Sequence, residues 1–385
     1  MSAVLLLVTL RLLNALRFDE VPESQRALFD RLGVEEAWDI TRGSPDVVVG
    51  VIDNGFDFFH PALKDKVRPG FYYPGGFHPE VYENLAHGTM VASLIVGSHL
   101  DDSCMTGLAP ECTVLAASQG MIEHKILQFQ SEWSRQHPGG SIQEMQKDMN
   151  ANQDLLRSFG KNWATYQVRG AAQAVRYLVD QGVRVINFSG GLQRSLCPEE
   201  SDWKEIEEAF AYAEQANVVN VISAGNSAVR SEDYPGNADT VIIAGAALLD
   251  DARWERSVEM QGVSFKEGSN FGKRLTCMAP VENLRVCAPH EKRFYASESG
   301  PLGATRVPFP GAYETRAIGA TSCAAPIVSS LVALVISVRP DLDARTVVAI
   351  VKQGCDDLGP EGFDEMTGHG RVHFGRTLEL ALDWE

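Results

Sequence analysis

Unbroken apolar runs, more than strict alternation, mark the interior of this chain. Val47-Val48-Val49-Gly50-Val51-Ile52 is β-branched almost throughout, the pattern of a strand covered on both faces of a parallel sheet. Similar runs occupy residues 113–117, 184–189, 218–223 and 240–245. Helical spacing predicts helices near 166–181 and 201–216. The runs end in turn signals: Asp53-Asn54-Gly55, Gly190-Gly191, Ala224-Gly225-Asn226. Strands alternating with helices predict an α/β fold of three layers, a mostly parallel central sheet with helices on both faces.

Two junctions stand out. Ala320-Thr321-Ser322-Cys323-Ala324-Ala325-Pro326 feeds an almost wholly apolar run to Val338. The pattern predicts a buried helix, with Ser322 as its N-cap and Pro326 in its first turn. His87-Gly88-Thr89 opens a second apolar helix. That position predicts a lowered His87 pKa, hence a neutral imidazole able to accept a proton.

Residues 1–33 read as an N-terminal extension, and 34–385 as one catalytic-size domain. Met1 to Leu10 is apolar, but no basic residue precedes it and Arg11 interrupts the run. A packed segment is therefore expected over an export signal. Ile122, Ile126, Phe129 and Trp133, then Ile142, Met145, Met149, Leu156 and Phe159, recur at helical spacing around His137-Pro138-Gly139-Gly140. They predict a helical hairpin insertion at about 121–162.

Composition narrows the field. A formal charge of −17 over 385 residues argues against nucleic acid and anionic membrane as partners. No apolar stretch of about 20 residues is present in the sequence. The seven cysteines are scattered without a CxxC pair, which argues against a zinc ribbon or a redox pair. They read as mostly free thiols in a reducing compartment. The expected location is cytoplasmic, with export as the alternative if the apolar N-terminus acts as a signal.

Asp53, His87, Asn226 and Ser322 each fall at a strand end or helix mouth. These are the residue types of acyl transfer: orienting acid, general base, oxyanion donor and nucleophile. Val51-Ile52-Asp53-Asn54-Gly55 with His60-Pro61, His87-Gly88-Thr89-Met90-Val91-Ala92, and Ala320-Thr321-Ser322-Cys323-Ala324-Ala325-Pro326 resemble the three active-site motifs of the subtilisin-like serine proteases, in that family's order. Asn187-Phe188-Ser189-Gly190-Gly191 and Ser223-Ala224-Gly225-Asn226 resemble its substrate-strand and oxyanion segments.

The resemblance implies a subtilisin-like fold and a serine endopeptidase working through an Asp53–His87–Ser322 triad, with Asn226 and the Ser322 N–H on the oxyanion. Substrate would pair along Ser189, Gly190 and Gly191 and lie beside Ser223, Ala224 and Gly225. The partner would be a protein or peptide. No cofactor is required for that chemistry. Calcium is common in the family, but no site maps here, and Asp101-Asp102 is the nearest thing to one.

Asp233, before Tyr234-Pro235-Gly236, stands where the family places the floor of its primary pocket. It either selects Arg or Lys at the cleaved position (P1), or turns to solvent or binds a structural cation. Three positions depart from the pattern: Ala320 and Ile327 replace a glycine and a histidine, and Asn54 replaces a hydroxyl residue. Ala320 would be strained if its turn needs positive φ. No folded propeptide is expected ahead of residue 47, and the insertion is expected to gate the cleft, dock a regulatory partner or be decoration. An inactive peptide-binding homologue and an acyl-transferring maturation enzyme stand as alternatives.

Overall fold

The computed structural model describes residues 21, 23–58, 60–72, 87–98, 106–118, 133, 135–137, 144, 148, 168–192, 194, 197, 199–260, 263–282, 284–287, 291–294, 305–308, 315–317 and 320–385. The apolar N-terminus, Asp101-Asp102 and nearly all of the expected insertion at 121–162 lie outside them.

Helices α1 (Glu23–Leu32) and α2 (Val34–Ile40) precede strand β1 (Val48–Asp53). Then come β2 (Val67–Tyr72), α3 (His87–Val96) and β3 (Thr113–Ser118). A helix whose described turns run over 168–180 (α4) leads to β4 (Val185–Phe188), α5 (Glu200–Gln215), β5 (Val219–Ser223) and β6 (Val241–Ala247). A hairpin, β7 (Glu255–Met260) with β8 (Val263–Gly268), precedes β9 (Cys277–Pro280). Short strands β10 (Leu284–Val286), β11 (Glu291–Phe294), β12 (Thr305–Pro308) and β13 (Thr315–Ala317) come next. Helices α6 (Thr321–Val338), α7 (Ala344–Gly354) and α8 (Phe374–Asp383) complete the described chain.

Seven strands form one sheet in the order β2-β3-β1-β4-β5-β6-β9. Every pairing within it is parallel. The expected three layers are present. One apolar cluster joins a sheet face to α1, α2, α3, α6, α7 and α8, and the other joins the opposite face to α4 and α5.

All five expected strands form. Two more, β2 and β9, sit at the edges. β2 carries Pro69-Gly70, and its register shifts between Pro69 and Phe71. Proline is tolerated there because an edge strand has one unpaired side, and the same residues hide the strand pattern from the sequence. By length and apolarity α6 could cross a membrane. Here its side chains are buried against β4, β5, β6 and α3, so it is the core helix of the fold.

Side chains two apart share a face of a strand. Val49 and Val51 of β1, Val185 of β4, and Val219 and Val221 of β5 face the α6 side. The same alternation sends Asp53, Ser189 and Ser223, at or just past the carboxyl ends of these strands, to that side. The carboxyl edge of a parallel sheet is where such folds bind ligands.

Candidate active site

Asp53 ends β1 and is buried, at 5% exposure. Its Oδ1 accepts the backbone N–H of Asn54 at 2.7 Å. The α3 helix is stitched onto the loop that follows. Gly88 and Thr89, in its first turn, have N–H groups without helical acceptors. They donate to the carbonyls of Asn54 at 2.7 Å and Gly55 at 2.9 Å. Gly55 turns with φ +77, which glycine adopts without strain. A side chain on Gly88 would lie 2.8 Å from the Phe56 ring, so that packing demands glycine too.

The result is a fixed pair. His87 Nδ1 lies 2.7 Å from Asp53 Oδ1 and 2.9 Å from Oδ2. A carboxylate only accepts, so Nδ1 carries the proton and Nε2 is the basic atom of the neutral ring. The neighbouring carboxylate holds the His87 pKa above the ordinary imidazole value, against burial, which pulls it down. This corrects the expectation of a lowered pKa: the Asp53 charge acts at hydrogen-bond distance and outweighs the helix mouth.

The Ser322 turn also differs in detail. Ala320 is the N-cap, with φ −149 and ψ 161, and the helix begins at Thr321. Ser322 is thus a first-turn residue rather than the cap, and Pro326 is the sixth residue of the helix, in its second turn rather than its first. Extended backbone suits any residue, so the extra methyl at Ala320 is accommodated without strain.

Thr321 does what the sequence did not suggest. Its backbone N–H and Oγ1 both donate to Asn226 Oδ1, at 2.9 and 2.7 Å. Its Oγ1 accepts from the Gly225 N–H at 3.1 Å. The N–H of Thr321 can only donate, so the acceptor end of the Asn226 amide is fixed and its –NH2 is the end left for a ligand. The signal for this role was a hydroxyl residue directly before the expected nucleophile.

Ser322 Oγ donates to the carbonyl of Ser189 at 3.0 Å. Among the described residues no hydrogen bond joins it to His87. Beside it, burial pushes the Cys323 thiol up to about 12, so that cysteine stays protonated and is no rival nucleophile. Gly190 is exposed and Gly191 half-buried. A Cβ built on Gly191 would have Ser223 Oγ as its nearest neighbour, at 3.9 Å. The 189–191 and 223–225 segments therefore face each other. Tyr234 Oη closes the base of this region by donating to the Ala224 carbonyl at 2.7 Å.

Asp233 is exposed, and its carbonyl accepts the Arg194 N–H at 2.9 Å. Among the described residues no group of three or more His, Cys, Asp or Glu side chains is placed to hold a metal ion. The six described cysteines are all free.

A sequence profile described as the Subtilase family matches residues 44–370. A Deinococcus radiodurans protein named a probable subtilase-type serine protease is 25% identical over 94% of this chain, which spans 44% of that protein's length. Among solved structures, a lanthipeptide protease shares the fold with a TM-score of 0.58 at 21% identity, covering 93% of this chain and 96% of its own. MycP1 from Mycobacterium smegmatis does so with a TM-score of 0.59 at 22% identity, covering 91% and 84%.

Proposed function

The chain belongs to the subtilase family, and from that premise we propose that it is a serine endopeptidase whose Ser322 attacks peptide bonds with His87 as base. The observation that carries the reading is the Asp53–His87 pair. It leaves Nε2 as the basic atom, at the same sheet edge as a helix-mouth serine and an asparagine whose amide is locked donor-outward.

Substrate backbone enters along Ser189–Gly191, and its N–H competes for the Ser189 carbonyl now held by Ser322. The freed hydroxyl turns to His87 Nε2, gives up its proton and bonds to the scissile carbonyl carbon. The new oxyanion is met by Asn226 Nδ2 and the Ser322 N–H, a first-turn donor with no helical acceptor. His87 passes the proton to the leaving amine, and the acyl-enzyme is released by water activated in the same way. Free thiols support a cytoplasmic setting.

Incubation with peptides tests the whole reading. Hydrolysis yields two fragments that together gain one water, whereas acyl transfer to an amine yields a joined product that gains none. An inactive peptide-binding homologue leaves the peptides intact.

The raised His87 pKa sets the acid side of the pH profile. Below it the imidazole is charged and cannot accept the Ser322 proton. kcat/KM should therefore rise through a midpoint above the ordinary value of about 6.5. The folded protein binds this proton more tightly than the unfolded chain. The Asp53–His87 pair thus adds stability below the unfolded imidazole pKa, and loses it as pH rises through the folded one. An acid limb centred at or below 6.5 would contradict this.

Preference for Arg or Lys at P1 is limited by the exposure of Asp233. A solvent-screened carboxylate contributes about 0–1 kcal/mol. Asp233→Asn should therefore change the Arg-to-Leu ratio of kcat/KM by less than about fivefold. A change well beyond tenfold would place the acid inside the pocket.

A further inference from the structure

Ser322 is followed four residues later by Pro326, which has no N–H to give its carbonyl. Ser189 Oγ supplies the donor instead, at 3.0 Å. A hydroxyl has one proton. Having spent it on a carbonyl, Ser189 Oγ can only accept, and it does so from Asn187 Nδ2 at 3.0 Å. The other end of that amide, Oδ1, accepts from Ser329 Oγ at 3.0 Å. Ser189, Asn187 and Ser329 are all buried. Each proton on the line therefore has a direction, and the acceptor-only carbonyl of Ser322 sets it.

The geometry explains why the otherwise apolar strand β4 carries a fully buried asparagine. Asn187 pairs with Val51 and Val221 in the middle of the sheet. A buried amide there needs partners. Ser329 lies seven residues beyond Ser322, close to two turns of α6 and on the same helix face. Helix α6 holds both ends of the line, and the end of β4 holds its middle.

We propose that Ser329, acting through Asn187 and Ser189, is a positioning residue for Ser322; this rests on Ser322 being the nucleophile. Ser189 grips Ser322 twice. Its hydroxyl holds the Ser322 carbonyl, and its own carbonyl holds the Ser322 hydroxyl. Together they press the first turn of α6 onto the end of β4, where the Ser322 Oγ and N–H are aimed. The Ser329 hydroxyl keeps the Asn187 amide the right way round. Without it the amide is free to turn over and offer Oδ1 to Ser189. Ser189 then donates to Asn187, and the Ser322 carbonyl loses its donor.

The test measures the rate of phosphonylation by a fluorophosphonate, with kcat and KM on one peptide and melting temperature as a check on folding. It compares wild type, Ser329→Ala, Ser189→Ala and the double variant. Ser329→Ala should slow phosphonylation and kcat by about tenfold, the cost of roughly one hydrogen bond, with KM changed less than about twofold. Ser189→Ala should lose at least as much. The double variant should be no slower than Ser189→Ala alone, because both act through one hydrogen bond. Wild-type reactivity in Ser329→Ala, or losses that multiply in the double variant, would overturn the relay. A wild type that takes no label would overturn the nucleophile assignment itself, and the relay with it.

Discussion

Replacement of Ser322 by alanine should lower turnover by about 10⁶-fold, the scale on which subtilases depend on their nucleophile. The fold should barely notice. Among the described residues Ser322 Oγ makes a single hydrogen bond, to the Ser189 carbonyl, and the residue is only half-buried. The core contacts of α6 begin with its neighbours Thr321, Ala324 and Ala325. His87→Ala should cost as much, and the pair of replacements no more than either alone, because nucleophile and base act as a unit. Peptide-hydrolysis rates of the three variants, with melting curves, check this. Residual turnover within a hundredfold of wild type would mean that another group does the chemistry.

Asp53→Asn should cost about 10⁴-fold in turnover, through the proton on His87 rather than through shape. In the native pair both carboxylate oxygens face His87 Nδ1. Asp53 Oδ1 also accepts the Asn54 N–H. In an asparagine the carbonyl oxygen keeps that backbone hydrogen bond, so the –NH2 takes the other place, facing Nδ1. A donor there favours the tautomer with Nδ1 bare and Nε2 protonated, which cannot accept from Ser322. Removing the charge also removes the main cause of the raised His87 pKa. The surviving activity should therefore show an acid limb moved to lower pH. Steady-state rates from pH 5 to 9 test both parts together. A loss below about a hundredfold with an unmoved limb would contradict the orienting role.

Much of this was legible in the chain because parallel strands buried on both faces leave continuous apolar runs, and Val47 to Ile52 is such a run. The strand ends then locate the site, since the carboxyl edge of the sheet is its natural place. Positions were easier to read than interactions. His87 was expected to have a lowered pKa because its helix mouth is visible in the sequence, whereas the Asp53 carboxylate 34 residues away reaches it only in the fold. Ser322 looked like a cap because capping is a local pattern. The structure gives that place to Ala320, in extended backbone.

The roles of Thr321, Asn187 and Ser329 depend on contacts across 95 and 142 residues of chain, and no periodicity records those. Edge strands β2 and β9 escaped for a different reason. β9 is buried on both faces but is only four residues long, too short for a pattern to stand out, and Pro69 in β2 reads as a breaker until its edge position is known.

The most direct test of Ser322 as nucleophile and His87 as its base is the mass and site of the adduct formed with a fluorophosphonate at neutral pH. One phosphonyl group per chain should form, mapped to Ser322, absent from Ser322→Ala and strongly slowed in His87→Ala. An unlabelled wild-type protein, or a label that maps elsewhere and persists in Ser322→Ala, would contradict it.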